Sequence, residues 1–215
     1  MKNIFFIGSG GHFKEIFNWY KEQIKIKNLK SNIKGIIDDR SKLKIEKNSK
    51  LKILNSKQIK NEKNNYLILA LGLLDKRKLI LKKFKNYNFE NVIHPSATIS
   101  QEVKFGNGSV FAPNTVISGD AKLGNFNNLN PACIISHDCV LGDNNFLSSS
   151  TSLMGNCHIG NNNFFGSGGT MIPSTSLKDN NIIGAGAVIT KSFLSMNTIV
   201  GVPAKKIKKN FTKSV

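Results

Sequence analysis

Large apolar residues recur at every sixth position through the second half of the chain. The series has seventeen members and no interruption: Ile93, Ile99, Phe105, Phe111, Ile117, Leu123, Leu129, Ile135, Leu141, Leu147, Leu153, Ile159, Phe165, Met171, Leu177, Ile183 and Ile189. The position four residues after each of the first sixteen holds a small or medium side chain, from Ala97 to Ala187. A period of six fits neither an α-helix nor an alternating strand. The pattern therefore predicts one short strand and one corner in every six residues.

Three such units close one triangular coil of eighteen residues, and stacked coils pair strand on strand at ~4.8 Å. Glycine often follows the large residue, as at Gly106, Gly124, Gly142 and Gly160, and glycine tolerates turn conformations. Residues 92–215 are therefore predicted to form a left-handed parallel β-helix of hexapeptide repeats. Because the phase never slips, no loop should interrupt the coils.

Residues 1–91 have a different pattern, in which short apolar runs alternate with segments of helical periodicity. Strands are predicted at residues 3–7, 33–37 and 66–71, and helices at residues 12–27 and 73–85. This alternation predicts a small Rossmann-like α/β domain with a parallel sheet. Ligands bind at the carboxyl ends of the strands in such sheets. The candidate binding residues at those ends are Gly10, Gly11, His12, Asp38, Asp39 and Gly72.

The first of these turns, residues 8–13, resembles a dinucleotide-binding loop only in part. Phe13 stands where that fingerprint needs its third glycine, so NAD binding is disfavoured. A phosphate or a sugar hydroxyl at the turn stays open, because helix N-termini bind anions.

The formal charge of +18 invites a nucleic-acid interpretation, which depends on where the charges lie. Residues 1–91 hold 22 basic and 8 acidic residues, whereas residues 92–215 hold 9 and 5. Five of those nine are terminal lysines: Lys205, Lys206, Lys208, Lys209 and Lys213. The β-helix body is thus close to neutral, and the other lysines are spread rather than arranged in a stripe. We therefore expect no nucleic-acid partner.

Compartment and cofactor chemistry follow from the apolar runs and the three cysteines. The longest apolar stretch, residues 67–74, is far shorter than the ~20 residues that span a bilayer. The apolar run at the N-terminus breaks into glycines, so no export signal and a cytoplasmic location are expected. Cys133, Cys139 and Cys157 all occupy the small-residue phase, which predicts buried structural thiols and no metal site.

His137 is the strongest candidate for chemistry, since it lies near a predicted corner and precedes Asp138. A neighbouring carboxylate holds an imidazole in one tautomer, which suits a general base. The alternative is a solvated corner histidine. His158 is expected to be an exposed coil residue, and His94 to have a structural role at the domain joint.

Motifs along nearly the whole chain resemble the PglD/NeuD-type sugar acetyltransferases, which are acetyl-CoA-dependent hexapeptide-repeat enzymes. The matching segments are residues 7–12 (IGSGGH), 37–39 (IDD), 71–72 (LG), 93–97 (IHPSA), 136–142 (SHDCVLG), 183–188 (IGAGAV) and 201–205 (GVPAK). The resemblance implies a homotrimer with active sites between neighbouring prisms. It also implies that the first domain holds the sugar substrate through the six residues named above.

By the same resemblance, His137 is the base and Asp138 raises its basicity. Acetyl-CoA would lie along the outside of the prism, near Phe146, Gly155, Ser167 and Ala185, with the terminal lysines near its phosphates. Many relatives have a second histidine nine residues after the base, where this chain has Phe146. A phenyl ring cannot donate a hydrogen bond to an oxyanion, so backbone N–H groups would have to do so.

The leading hypothesis is therefore N-acetylation of the amine of a nucleotide-activated amino-deoxy sugar, by direct attack on acetyl-CoA. No cysteine occupies an exposed phase, so no acyl-enzyme is expected. The nearest alternative is O-acetylation of a sialic acid or related sugar. Two other classes are disfavoured: a binder of nucleic acid or anionic surfaces, and a γ-type carbonic anhydrase, which needs three metal-binding histidines.

Overall fold

The chain divides into two units, Met1–Pro95 and Ser96–Val215, in the computed structural model, which describes residues 1–40 and 51–207. The predicted division after residue 91 falls inside the first unit. The reason is a set of contacts between the last residues of that unit and the first helix. The Ile93 N–H donates to Gln23 Oε1 at 2.8 Å, and His94 Nε2 lies 2.9 Å from Glu22 Oε2.

The first unit is a parallel sheet in which the strand order is β3-β2-β1-β4-β5. Its strands are β1 Lys2–Ile7, β2 Ser31–Ile37, β3 Lys52–Leu54, β4 Asn65–Leu69 and β5 Asn88–Phe89, and β6 Val92–Ile93 follows them. The helices in its described part are α1 Gly11–Ile26 and α2 Leu74–Lys83. The predicted α/β class is confirmed. The sequence pattern missed β3 and β5, which are only three and two residues long.

The core of this unit lies between β1 and α1. The Phe6 ring meets Phe13 at a centroid distance of 5.5 Å and Tyr20 at 6.0 Å, both edge to face. Phe6 and Tyr20 are fully buried. Phe13 therefore packs helix against strand at the position where the dinucleotide fingerprint has glycine.

Helix α2 differs from its predicted pattern. Its buried side chain is Arg77, which donates from Nη1 to the Leu71 carbonyl oxygen at 3.0 Å, while Leu79 is 70% exposed. The arginine thus holds the segment that follows β4.

No helix in the described ranges is long and apolar enough to cross a membrane.

The second unit is a left-handed parallel β-helix, as predicted. Its strands are β7 Thr98–Ile99, β8 Lys104–Phe105, β9 Val110–Phe111, β10 Val116–Ile117, β11 Lys122–Leu123, β12 Asn128–Leu129, β13 Ile134–Ile135, β14 Val140–Leu141, β15 Phe146–Leu147, β16 Ser152–Leu153, β17 His158–Ile159, β18 Phe164–Phe165, β19 Thr170–Met171, β20 Ser176–Leu177, β21 Ile182–Ile183, β22 Val188–Ile189, β23 Thr198–Val200 and β24 Lys205–Ile207. Consecutive coils pair in register at a spacing of eighteen residues, for example Ile134 with Ser152.

Three faces result, and each is a sheet whose strands are three apart in sequence, except that β23 pairs with β21 and β24 pairs antiparallel with β23 at the end of the third face. Within the described part of the unit, their orders are β22-β19-β16-β13-β10-β7, β20-β17-β14-β11-β8 and β24-β23-β21-β18-β15-β12-β9. The last residue of each two-residue strand belongs to the predicted series, and it is buried from Phe111 to Ile189. The three cysteines are buried and free, as predicted, and burial raises the pKa of Cys133 to about 12.

Two columns of stacked polar side chains run along one corner of the prism. The inner ladder consists of buried residues Asn127, Asn145, Asn163, Asn181 and Asn197. In this ladder each side-chain Oδ1 accepts from the backbone N–H of the next member, at 2.8 to 3.0 Å. The outer ladder, at the surface, consists of Asn125, Asp143, Asn161 and Asp179 and runs in the opposite direction, since each backbone N–H donates to Oδ1 of the next member at 2.6 to 2.7 Å. Together they hold the coils in register.

The last coil is two residues shorter than the others. Thr198 pairs with Ile182, and Asn197 donates to Asn181, both at a spacing of sixteen residues. The six-residue phase therefore ends after Ile189.

Candidate active site

His137 and Asp138 lie at the corner between β13 and β14. The imidazole Nδ1 lies 2.8 Å from Asp138 Oδ2, and the two side chains are 69% and 60% exposed. Asp138 has a φ of +59°, in the left-handed region that aspartate tolerates better than most residues. The corner backbone thus turns two neighbouring side chains so that they meet outside the prism.

The contact with Asp138 determines which ring nitrogen of His137 has a lone pair available. A carboxylate only accepts hydrogen bonds, so in the neutral imidazole the proton is on Nδ1 and the lone pair is on Nε2. That arrangement has the geometry of a general base with its orienting carboxylate.

The backbone of this corner is fixed from the coils on both sides. The Asp138 N–H donates to the Gly119 carbonyl at 3.2 Å, and the Asn156 N–H donates to the His137 carbonyl at 3.0 Å. Gly155, eighteen residues beyond His137, is buried and lies against the imidazole ring. The histidine therefore stands on a rigid backbone although its side chain is exposed.

The four residues predicted to contact acetyl-CoA lie in different parts of the prism. Gly155 shares the His137 corner, between the β13 and β14 faces. Ser167 and Ala185 lie at another corner, between the faces of β18 and β19, and Phe146 lies on the flat face before it. Gly155 and the pair of Ser167 and Ala185 thus lie at different corners of a single prism, so the structure does not bring this set together at one corner.

The corner of Ser167 and Ala185 is lined by small groups. Both residues are exposed, and they are followed by Gly168 and Gly186, with φ values of +69° and +68°. A Cβ added at Gly186 would contact nothing within 4 Å. This strip of open backbone fits a narrow, amide-containing chain such as pantetheine.

Phe146 stacks on Phe164 of the next coil, with ring centroids 5.6 Å apart and an interplanar angle of 11°. Its side chain is 7% exposed although it lies on the outward side of β15. The position of the relatives' second histidine is thus part of an aromatic stack.

The six residues predicted at the sheet edge of the first unit share one cavity of about 540 Å³. Besides them, polar and apolar groups from α2 and the strand ends line it: Arg40, Ser56, Lys76, Leu71, Leu73, Leu79 and Ile80. These residues meet because parallel strands place their carboxyl ends at one sheet edge.

The N-terminus of α1 faces this cavity. Gly10 is the N-cap and forms no side-chain capping bond, and the first turn contains no acidic residue. Its N–H groups can therefore bind an anion. Gly8 before it has a φ of +101°, and a Cβ there would come within 2.5 Å of Leu71 Cδ2. Glycine is thus required where the strand turns beside β4.

Asp38 and Arg40 form a bidentate ion pair at the cavity rim. Arg40 Nε donates to Asp38 Oδ1 at 2.9 Å, its Nη2 donates to Oδ2 at 2.6 Å, and Ser9 Oγ donates to Oδ2 at 2.8 Å. The hydrogen bonds from Arg40 hold the pKa of Asp38 down at about 2. The guanidinium is 62% exposed, so it can meet a ligand without moving far.

Asp39 is held by the loop after β3 and by α2. It accepts from the Ser56 N–H and Oγ, both at 2.7 Å, and from Lys83 Nζ at 2.9 Å. The Ser56 backbone bond, followed by the Lys83 bond, lowers the pKa of Asp39 to about 2. Both aspartates are therefore carboxylates near neutral pH.

The remaining predictions concern histidines and terminal lysines. His12 Nδ1 lies 3.0 Å from Glu15 Oε2, His94 pairs with Glu22 within the first unit, and His158 is exposed as expected. Lys205 and Lys206 lie in β24. The other three terminal lysines, Lys208, Lys209 and Lys213, fall outside the described residues. Within residues 1–40 and 51–207, no group of three or more His, Cys, Asp or Glu side chains could hold a metal ion.

Arg40, Ser56 and Lys76 were missed by sequence reasoning. Arg40 directly follows the two predicted aspartates, and this adjacency could have identified it. Ser56 and Lys76 carry no local signal, because a loop and a helix bring them to the sheet edge.

Comparison with known proteins agrees with this architecture. The family model described as the PglD N-terminal domain matches residues 3–84. The acetyltransferase domain of PglB from Neisseria gonorrhoeae is 25% identical, with a TM-score of 0.83 over 96% of this chain and 100% of that domain. The sequence matches no curated protein.

Two further structures share the fold. Perosamine N-acetyltransferase from Caulobacter crescentus is 24% identical, with a TM-score of 0.83 over 97% of this chain and 98% of that one. WeeI from Acinetobacter baumannii is 24% identical, with a TM-score of 0.73 over 96% and 100%. The first domain is therefore similar to the PglD N-terminal domain over residues 3–84, and the chain is an acyltransferase with the hexapeptide-repeat fold, similar to the PglB acetyltransferase domain.

Proposed function

We propose that this protein transfers the acetyl group of acetyl-CoA to the amine of a nucleotide-activated amino-deoxy sugar. The observation that carries the proposal is the His137–Asp138 pair, in which the imidazole is oriented through Nδ1 and Nε2 has the lone pair. The solved PglB acetyltransferase domain binds acetyl coenzyme A. The perosamine enzyme was solved with CoA and GDP-perosamine, a nucleotide-linked sugar.

The chemistry is a direct transfer. The sugar amine attacks the thioester carbonyl carbon and forms the C–N bond, while Nε2 of His137 takes a proton from the amine. The tetrahedral intermediate then collapses, the C–S bond breaks, and the sulfur leaves with that proton as the CoA thiol. Asp138 holds the imidazole in its tautomer and stabilises the imidazolium that forms between these steps. No cysteine takes part, because all three are buried.

The developing oxyanion needs a donor that Phe146 cannot supply. Within residues 1–40 and 51–207 the backbone N–H of Gly155 has no hydrogen-bond partner, and this residue lies against the proposed base. We assign the thioester carbonyl to this N–H group, since a preorganised donor beside the base stabilises the oxyanion where it forms.

The nucleotide part of the substrate would occupy the first-domain cavity. The α1 N-terminus, Arg40 and Lys76 supply positive charge at its rim for a diphosphate. Asp38 and Asp39 supply acceptors for hydroxyl or N–H groups, while leucine side chains face the less polar parts of the ligand. The cavity has the volume of a typical small-molecule site.

The separation of the two corners supports a trimeric active site. A CoA molecule that contacts Gly155 on one prism and Ser167 and Ala185 on another satisfies both sets when two copies lie side by side. Each site would then take its base from one protomer and its pantetheine corner from the next.

The decisive experiment is a thiol-release assay with acetyl-CoA and a panel of nucleotide-linked amino sugars, with sialic acids as the comparison. Turnover with an amino sugar, and none with its 4-hydroxy or 3-hydroxy analogue, is expected. Preferential turnover of a sialic acid would establish O-acetylation, which none of the three structures named above supports. Absence of acetyl-CoA turnover with every acceptor would overturn the proposal.

A further inference from the structure

The corner column that contains His137 is occupied by glycine on both sides. Counting by eighteen, it contains Gly119, His137, Gly155 and Pro173. Positive φ angles among the described glycines occur at Gly8, Gly108, Gly168, Gly186 and Gly201. Neither Gly119 nor Gly155 is among them, so their backbone conformations do not require glycine.

Gly155 is instead required by space. A Cβ built there would lie 2.6 Å from both Cε1 and Nε2 of His137 and 3.3 Å from Nδ1. All three distances fall below ordinary contact, so the imidazole occupies the volume of the missing side chain. At Gly119 the nearest atom to an added Cβ is Glu102 Oε2, at 3.8 Å. The two glycines thus share a corner column and a negative φ, but only at Gly155 would an added Cβ collide with the imidazole.

We propose that Gly155 is a positioning residue for His137, because its missing side chain leaves the space in which the imidazole keeps Nδ1 on Asp138 and Nε2 free. The proposal deepens the proposed function and rests on it for its catalytic consequence. The His137 side chain is 69% exposed, so few other atoms restrain it. Contact with the Gly155 backbone on one side and the 2.8 Å bond to Asp138 on the other define the ring orientation.

A methyl group at position 155 would displace the ring. The imidazole would have to rotate about χ1 or χ2 toward solvent, and a rotation that clears the methyl group also lengthens the Nδ1–Oδ2 contact. The backbone N–H at position 155 is kept in alanine, so the donor assigned above to the thioester carbonyl is unchanged. The substitution therefore tests the ring position separately from that donor.

The test compares Gly155→Ala with Gly119→Ala in the full chain. We expect Gly155→Ala to lower kcat by about 10- to 100-fold, the range that small displacements of a catalytic group produce. KM for both substrates should stay within about 2-fold, since the ring binds neither tightly in the ground state. Gly119→Ala should leave kcat, KM and Tm unchanged.

The tautomer of His137 can be measured by NMR spectroscopy, and this measurement tests the role of Gly155 without an activity assay. Ring ¹⁵N signals of His137 should show a proton held on Nδ1 in the natural protein and in Gly119→Ala, but a mixture of tautomers in Gly155→Ala. An unchanged tautomer in Gly155→Ala would overturn the proposal. If acetyl transfer itself is absent, the proposed function fails, whereas this measurement still reports on Gly155.

The double variant His137→Ala/Gly155→Ala keeps the proposal testable if Gly155→Ala by itself does not fold. With the imidazole gone, the methyl group has nothing to displace, so the double variant should match His137→Ala in kcat and Tm. If Gly155→Ala alone misfolds and the double variant folds, the clash is with the imidazole, as proposed. A double variant that misfolds as well would show that glycine serves the backbone and would overturn the proposal.

Discussion

Two corners of the same prism are built from the same six-residue unit and differ in where their polar groups point. The asparagine corner turns amides inward, where the inner ladder pairs each Oδ1 with the next backbone N–H at 2.8 to 3.0 Å. The His137 corner turns an imidazole and a carboxylate outward. Its inward positions hold Cys139 and Cys157, which bury sulfur instead of amides.

The difference shows how a repetitive fold carries both register and chemistry. Buried amides in a ladder must all be satisfied, so each member depends on its neighbours and none is available to a ligand. An outward pair of side chains is independent of the register and costs the fold little. Stability and catalysis are therefore assigned to separate corners, and substitutions should separate them.

The largest expected effect is on turnover at the His137 corner. His137→Ala should lower kcat by about 100-fold or more, because it removes the general base, and should leave Tm within about 2 °C, because the side chain is exposed. The measurement is thiol release from acetyl-CoA together with thermal unfolding. His158→Ala, an exposed histidine on a neighbouring face, is the matched control and should change neither. A His137→Ala enzyme that keeps more than about a tenth of kcat would remove this residue as the base.

Mixing two inactive variants tests whether two prisms share one site. His137→Ala lacks the base, and Ala185→Trp should block the pantetheine corner. If the chain forms the proposed trimer, co-refolding equal amounts of the two variants should place an intact base beside an intact corner at about a quarter of the sites, by random assortment. Activity should recover to about that fraction of the natural enzyme. A mixture as inactive as its components would place both groups of one site on the same protomer.

The inner and outer ladders should respond differently to loss of an amide. Asn163→Ala leaves buried backbone groups without hydrogen-bond partners and creates a small cavity. It should therefore lower the unfolding free energy by about 3 kcal/mol. Asn161→Ala removes a partly exposed amide that water can replace, and should cost about 1 kcal/mol or less. Urea unfolding measures both. Equal costs would show that burial does not distinguish the ladders.

The smallest expected effect is on the pH dependence of the unfolding free energy, through the Asp38–Arg40 ion pair of the first domain. Because Arg40 lowers the pKa of Asp38 to about 2, the ionised pair stabilises the fold above the ordinary carboxyl pKa. That stabilisation is lost as pH falls through about 2. Asp38→Asn should therefore lower the unfolding free energy by about 1 kcal/mol at pH 7, a value reduced because Arg40 is largely exposed, and by progressively less as the pH falls to about 2.

Thermal unfolding at a series of pH values checks the Asp38 prediction. Asp120→Asn, at an exposed corner, is the matched control and should show no pH-dependent cost. A cost of Asp38→Asn that is constant from pH 7 to pH 2 would contradict an ionic role for this aspartate.

Several features could not be predicted, for reasons that are specific to each. Strand β3 has three residues and two exposed side chains, so its sequence has no apolar signature. In α2 the buried Arg77 and exposed Leu79 reverse the usual pattern, because the arginine reaches the carbonyl of Leu71. The apolar series visibly breaks at Ser195, but the shortening of the last coil by two residues is set by the pairing of Thr198 with Ile182. In each case a tertiary contact overrides the local pattern.

What the sequence determined by itself is the repeat and the corners at which His137 and the sheet-edge residues would lie. An unbroken six-residue phase leaves one way to bury its apolar series, and parallel strands gather their ends at one edge. The tertiary structure decided which distant residues meet: the imidazole with Gly155, Arg40 with Asp38, and Ser167 and Ala185 at a corner apart from His137. Spacing along a chain fixes phase, but contact between side chains depends on rotamers and on neighbouring coils, which no single segment encodes.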